Sequence, residues 1–231
     1  MSSNAAPSTS EPWFLVYGGS GGIGSAVCVA LAERGIRPFV GYHRAEAAAR
    51  ALAERCAGRA LSLDLSDPAS ISRAAQELEE CPLLLGAVLA GSPPLSLTSF
   101  GKITAQEMQE QWQVNVLGPQ QLLAELVRRC FRKRKSGSVV GVLTRAMGSD
   151  EAPAAPGMGA YVIAKHGLAG VLALLAADHP WLHVRAVKPG YTETKMLEAF
   201  DPRFLDLQRQ KAAFQTPTQV AALILQEALP A

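Results

Sequence analysis

From Trp13 onward, short apolar runs alternate with longer stretches whose apolar residues recur every three or four positions. The short runs predict strands over residues 13–17, 38–42, 60–63, 83–89, 138–143 and 183–187. The helical period predicts helices near 23–34, 45–56, 69–80, 104–133 and 160–177. A last helix is predicted over 218–229, where Thr218 follows Pro217 and supplies a cap. Strand and helix in strict alternation are the mark of a parallel sheet, so the predicted fold is α/β, doubly wound, with about six strands and helices on both faces. Residues 91–104 and 144–159 break the alternation and read as loops around a site, since ligands in such sheets bind outside the carboxyl ends of the strands. The amphipathic stretch 193–216 is then a candidate lid.

The chain has 231 residues, 48% hydrophobic and 18% charged, with a net charge of +2. That length fits one domain, here 13–231, and the low charge excludes a strongly charged disordered chain. Residues 1–12, rich in Ser, Ala and Pro, read as a disordered tail and not as a signal peptide. One dense cationic run, from Arg128 to Lys135, lies at a helix C-terminus, where it complements the helix dipole; a nucleic-acid partner is not indicated. No apolar run reads as long enough to cross a membrane. Cys28, Cys56, Cys81 and Cys130 lack metal-ligand spacing, which points to reduced thiols, no metal and a cytoplasmic protein.

The candidate chemistry begins with Gly18-Gly19-Ser20-Gly21-Gly22-Ile23-Gly24, which follows the first strand and opens the first helix. Such a turn lets a pyrophosphate approach the helix N-terminus, although a glycine turn alone is also compatible with a structural loop. His43 and Arg44 close the second strand, where an acidic residue would favour NAD. Their basic character suits a 2′-phosphate and therefore NADPH, with a solvent-facing strand end as the alternative. Asp64 closes the third strand, placed either to meet an adenine or to cap the next helix. Tyr161 and Lys165 share a helix face, and an ammonium beside a phenol is expected to lower its pKa.

Taken together, Gly18 to Gly24, Asn115, Thr144, the Tyr161/Lys165 pair and Pro189-Gly190-Tyr191-Thr192-Glu193-Thr194 stand in the order and spacing of the short-chain dehydrogenase/reductase family, which the chain resembles from Trp13 nearly to its end. The resemblance implies a Rossmann-type fold and hydride transfer from NADPH to a ketone or a β-ketoacyl thioester. It implies Tyr161 as proton donor, Lys165 as its partner and a ribose ligand, Thr144 as donor to the carbonyl oxygen, and Asn115 as holder of a relay water. It also implies a cofactor site made by Gly18, Ser20, Gly22, Ile23, Gly24, His43, Arg44, Asp64, Leu65, Leu89, Ala90, Gly91, Tyr161, Lys165, Pro189, Gly190, Thr192 and Thr194. A homodimer through the helices 104–133 and 160–177 is implied, with Ala164, Gly167, Ala169, Gly170 and Ala173 allowing close approach. The competing reading is a non-catalytic, NADPH-binding regulator of the same fold.

Five departures from the family pattern stand out. Tyr17 replaces a Thr, and Val88-Leu89 replaces an Asn pair, which questions local stability more than chemistry. Thr144 replaces the commoner Ser, and the stretch to Tyr161 is longer. The last strand of the family is missing, so the sheet is expected to stop at six strands.

Overall fold

A computed structural model describes residues 11–229; most of the expected tail lies outside the described residues. Six parallel strands, β1 (Trp13–Tyr17), β2 (Arg37–Tyr42), β3 (Arg59–Ser62), β4 (Leu84–Leu89), β5 (Ser138–Val142) and β6 (His183–Val187), form one sheet in the order β3-β2-β1-β4-β5-β6. Alternate residues of each strand face opposite ways, as the pleat requires. Leu15 and Tyr17 enter one apolar core while Phe14 and Val16 enter the other. Helices α1 (Gly22–Ala32), α2 (Glu46–Arg55) and α8 (Pro217–Ala228) cover the second core. The first lies beneath α3 (Pro68–Glu79), α5 (Gly118–Leu126) and α6 (Gly159–Asp178).

The predicted helix over 104–133 is one path but not one helix. It runs as α4 (Ala105–Trp112), a wide π turn over Gln113–Leu117, α5, and a second wide turn over Val127–Phe131. The cap of the last helix is corrected as well. Thr216, not Thr218, accepts from Gln219 N at 3.2 Å through its hydroxyl while its own N–H donates to Gln219 Oε1 at 2.8 Å, leaving Pro217 at the first helical position, where its missing N–H costs nothing. Of the two roles open to Asp64, capping falls to Asp67, whose carboxylate accepts from Ala69 N.

The cationic run is less free than its sequence implies. Arg129 is held by Glu125 and Glu79, Arg128 by Glu125, and Arg134 donates to the Leu84 carbonyl. Helix α6, with 20 residues and a mean hydropathy of 1.6, is long and apolar enough to cross a membrane by length and composition, contrary to expectation. It packs beside α4, β5 and β6, and its buried Leu168 and Leu172 belong to the core. The Tyr17 and Val88-Leu89 departures are absorbed by packing. A side chain on Gly91 would come within 2.4 Å of the Tyr17 ring, and Val88 and Leu89 are buried on opposite faces of β4.

Candidate active site

The chain crosses the sheet between β3 and β4, so β1 and β4 lie side by side while their connections leave in opposite directions. That is the switch point where α/β sheets open a crevice. Here the two strand ends nearly touch: Gly18, with φ +75°, would drive a Cβ to within 2.5 Å of Gly91 Cα. Gly24 lies so close to Gly18 that a Cβ would stand 2.1 Å from its carbonyl oxygen. The turn is closed by Gly21 N donating to Gly18 O at 3.0 Å, and α1 starts with no side-chain cap and no acidic residue in its first turn. Its free N–H groups therefore face the crevice.

The crevice widens into a cavity of about 1370 Å³. That is larger than an ordinary small-ligand pocket of roughly 300–1,000 Å³ and has room for a dinucleotide and a second molecule. Gly18, Ser20, Gly22, Ile23, Gly24, His43, Arg44, Ala90, Gly91, Thr144, Tyr161, Lys165, Pro189, Gly190, Thr192 and Thr194 all line it. Four expected site residues do not. Leu65 and Leu89 are buried in the core, Asp64 pairs with His43, its Oδ2 3.1 Å from His43 Nε2, and Asn115 is buried. Both His43 and Arg44 line the cavity, but His43 is drawn to a carboxylate and Arg44 is not. Burial raises the Asp64 pKa, but two hydrogen bonds from Ser66 and the nearby His43 and Arg44 charges outweigh it and leave the net shift downward.

Thr144 follows β5 and caps the short turn Arg145–Met147, while Tyr161 and Lys165 come from the first two turns of α6. Tyr161 is buried, and burial pushes its pKa up to about 12 against the lowering effect of the Thr144 hydroxyl. Lys165, 2% exposed, donates to the Val142 carbonyl at 2.9 Å, with Nζ 5.6 Å from the Tyr161 ring centroid. Burial brings its pKa down to about 8. The expected lowering of the tyrosine pKa by its neighbour is therefore not found in this state. Desolvation dominates both groups, and the ammonium is directed at a backbone carbonyl.

Asn115 lies in the wide turn after α4. Its amide nitrogen donates to Gln111 Oε1 at 2.9 Å and to Ser92 Oγ at 3.2 Å, its own Oδ1 is buried without a partner, and Gln111 donates onward to the Pro94 carbonyl at 3.0 Å. Gln111 and Ser92 were missed from sequence, although the four-residue spacing from Gln111 to Asn115 marks a shared helix face. Also missed was Gln215, whose Oε1 accepts from Gly190 N at 3.1 Å and whose backbone bonds Tyr191 and Glu193, clamping the Pro189-to-Thr194 loop. The candidate lid holds a short turn, Lys195–Ala199, and α7 (Pro202–Lys211). An aromatic cluster fixes it, with Tyr191 stacked on Phe214 at 5.1 Å and set edge-on to Phe200 at 5.7 Å.

The family model for short chain dehydrogenases matches residues 12–203. The chain belongs to the short-chain dehydrogenase family. It is 29% identical over 220 residues to acetoacetyl-CoA reductase of Paracoccus denitrificans, covering 91% of this chain and 88% of that protein. It is likewise 29% identical over 212 residues to 3-oxoacyl-[acyl-carrier-protein] reductase of Escherichia coli, covering 88% and 81%. The solved structure of a 3-ketoacyl-(acyl-carrier-protein) reductase from Brucella melitensis, complexed with NADH, superposes with a TM-score of 0.84 at 19% identity over 95% of this chain and 91% of that one. That likeness is one of fold, and the six-stranded, doubly wound architecture read from the sequence agrees with it.

Proposed function

We propose that this short-chain dehydrogenase reduces a ketone or a β-ketoacyl thioester with NADPH. The observation that carries the reading is that Thr144, Tyr161 and Lys165 line the same cavity as a glycine cradle and Arg44. The cradle fits a dinucleotide: Gly18 and Gly24 admit no side chain, and α1 presents uncapped N–H groups for a pyrophosphate. Bound NADPH supplies the hydride, so that a carbonyl, NADPH and one proton become an alcohol and NADP+. A phenol with a pKa near 12 holds its proton at neutral pH, the form an acid must take. Thr144 donates a hydrogen bond to the substrate oxygen as negative charge develops there, and Tyr161 gives up its proton to it. Lys165, on the same helix face, stabilises the phenolate left behind, and Asn115, whose Oδ1 is buried without a partner, holds a relay water.

The names of the relatives support a 3-oxoacyl substrate class. We also propose a homodimer on α4 and α6. Ala164 is buried, and Gly167 abuts Val116 and Trp112 of its own chain, so those two serve internal packing. Gly170 has open space in front of it, and Leu174 and Leu117 are 63% and 43% exposed, which leaves an apolar strip for an isologous contact. NADPH oxidation followed at 340 nm against ketones, quinones and acyl thioesters tests the reaction. Turnover on a carbonyl is expected, and tight cofactor binding with no turnover on any of them would point to a regulator instead.

A further inference from the structure

Several cations in the cavity have no task in the reaction above, and Arg145 is the one next to Thr144 in the chain. The Arg145 amide donates to the Pro189 carbonyl at 2.9 Å. Its Cδ and Nη1 stand 3.6 and 3.9 Å from the point that a side chain on Gly190 would occupy. The guanidinium thus rests over the Pro189-Gly190 turn, on the cavity surface. Among the described residues no carboxylate pairs with it. The cavity as a whole is cationic: Arg44, Arg145, Lys165, Lys195, Arg209 and Lys211 line it against two carboxylates, Glu193 and Glu198. Arg44 and the glycine cradle account for the cofactor's phosphates, whereas the Arg145 guanidinium lies at the Pro189-Gly190 turn. The cavity also has an apolar lining, with Met158, Tyr191, Phe200 and Phe214.

We propose that Arg145 receives a carboxylate of the substrate, so that the class reduced is an oxo acid with an apolar body. The inference rests on the reductase reading of this same cavity and narrows it. Thr144 and Arg145 line the same cavity, so one molecule can place its carbonyl at the Thr144 hydroxyl and an anion at the Arg145 guanidinium. The guanidinium fork matches a carboxylate with two parallel hydrogen bonds, and the positive cavity draws anions toward it. The phosphates of an acyl thioester lie beyond a long pantetheine arm and do not reach this arginine while the carbonyl is at Thr144.

The test pairs 2-oxo-4-phenylbutanoate and 4-oxo-4-phenylbutanoate with their methyl esters, which keep the carbonyl and the aromatic body but lose the charge. At low ionic strength kcat/KM for at least one acid is expected to exceed that of its ester by about ten- to a hundredfold, the range of one charge-assisted contact. In Arg145→Gln that ratio falls toward one, in Arg145→Lys part of it returns, and the NADPH dissociation constant stays put. A wild type that reduces esters or thioesters with no preference for acids leaves the reductase reading standing and overturns the inference. A rise in the NADPH dissociation constant in Arg145→Gln overturns it too, because the guanidinium then serves the cofactor. Should none of these compounds be reduced, calorimetry of 2-hydroxy-4-phenylbutanoate against the NADP+ complex decides. Binding that Arg145→Gln abolishes supports the anion site and leaves the reductase reading to the ketone, quinone and thioester panel, and absence of binding sinks the inference.

Discussion

Replacing Lys165 with Met keeps the length of the side chain and removes its charge, and the protein is expected to become more stable for it. The ammonium is buried beside Val142, with its pKa brought down from 10.5 to about 8. Below pH 8 the folded protein bears the full cost of that buried charge. Between pH 8 and 10.5 the unfolded chain binds the proton more readily than the folded one, so stability rises with pH, and above 10.5 the lysine is neutral in both states. Bringing the pKa from 10.5 to about 8 costs the folded state roughly 3 kcal/mol below pH 8. The lost charge-assisted bond to the Val142 carbonyl returns about 1.5–3 kcal/mol of that. Lys165→Met should therefore gain up to roughly 1.5 kcal/mol at pH 7 without cofactor and lose that advantage by pH 10. Tyr17, Tyr161 and the four cysteine thiols, all raised by burial, make both proteins less stable at high pH, so the quantity to follow is the difference between them. Urea unfolding of both proteins at pH 7, 8, 9 and 10 measures it. Parallel curves, or a mutant clearly less stable at pH 7, would refute the reasoning.

Three further outcomes follow from the geometry. Arg44→Ala should weaken NADPH binding by about one to two decades and NADH binding far less, by fluorescence titration of both cofactors, because Arg44 faces the cavity while His43 is engaged by Asp64. Gly24→Ala forces a methyl to 2.1 Å from the Gly18 carbonyl, and the thermal midpoint should drop by about 2–4 °C for each of the roughly 1–3 kcal/mol that such overpacking costs. Thr144→Ser should keep most of the turnover that Thr144→Ala loses, since the hydroxyl and not the methyl sits beside Tyr161; equal losses in the two would remove Thr144 from the reaction.

The sheet was legible because parallel strands buried on both faces are continuous apolar runs, and the helices between them carry one apolar stripe each. All six strands fall within a residue or two of their expected bounds. The glycine turn was legible for a similar reason: its residues are dictated by contacts only a few positions away, as Gly24 against Gly18 shows. What escaped depends on neighbours distant in the chain. Gln215 reaches Gly190 across 25 positions, and Arg145 takes its place over Gly190 through a bond to Pro189. The pairing of His43 with Asp64 joins two strand ends that only the β2–β3 register brings together. The tyrosine–lysine pair was found by its spacing, but its charge state follows from burial, which spacing does not carry. Thr216 and Thr218 differ by two residues and both flank Pro217, and only the bond pattern tells which of them caps α8.

The central claim is that Tyr161 donates the proton to a carbonyl, and Tyr161→Phe tests it most directly, since the ring keeps its packing and only the hydroxyl is removed. On whichever carbonyl compound the wild type reduces, the variant should bind NADPH with nearly unchanged affinity and lose at least two to four decades of kcat, the range that a positioned general acid supplies. A Tyr161→Phe protein that still reduces that compound at close to the wild-type rate would contradict the account.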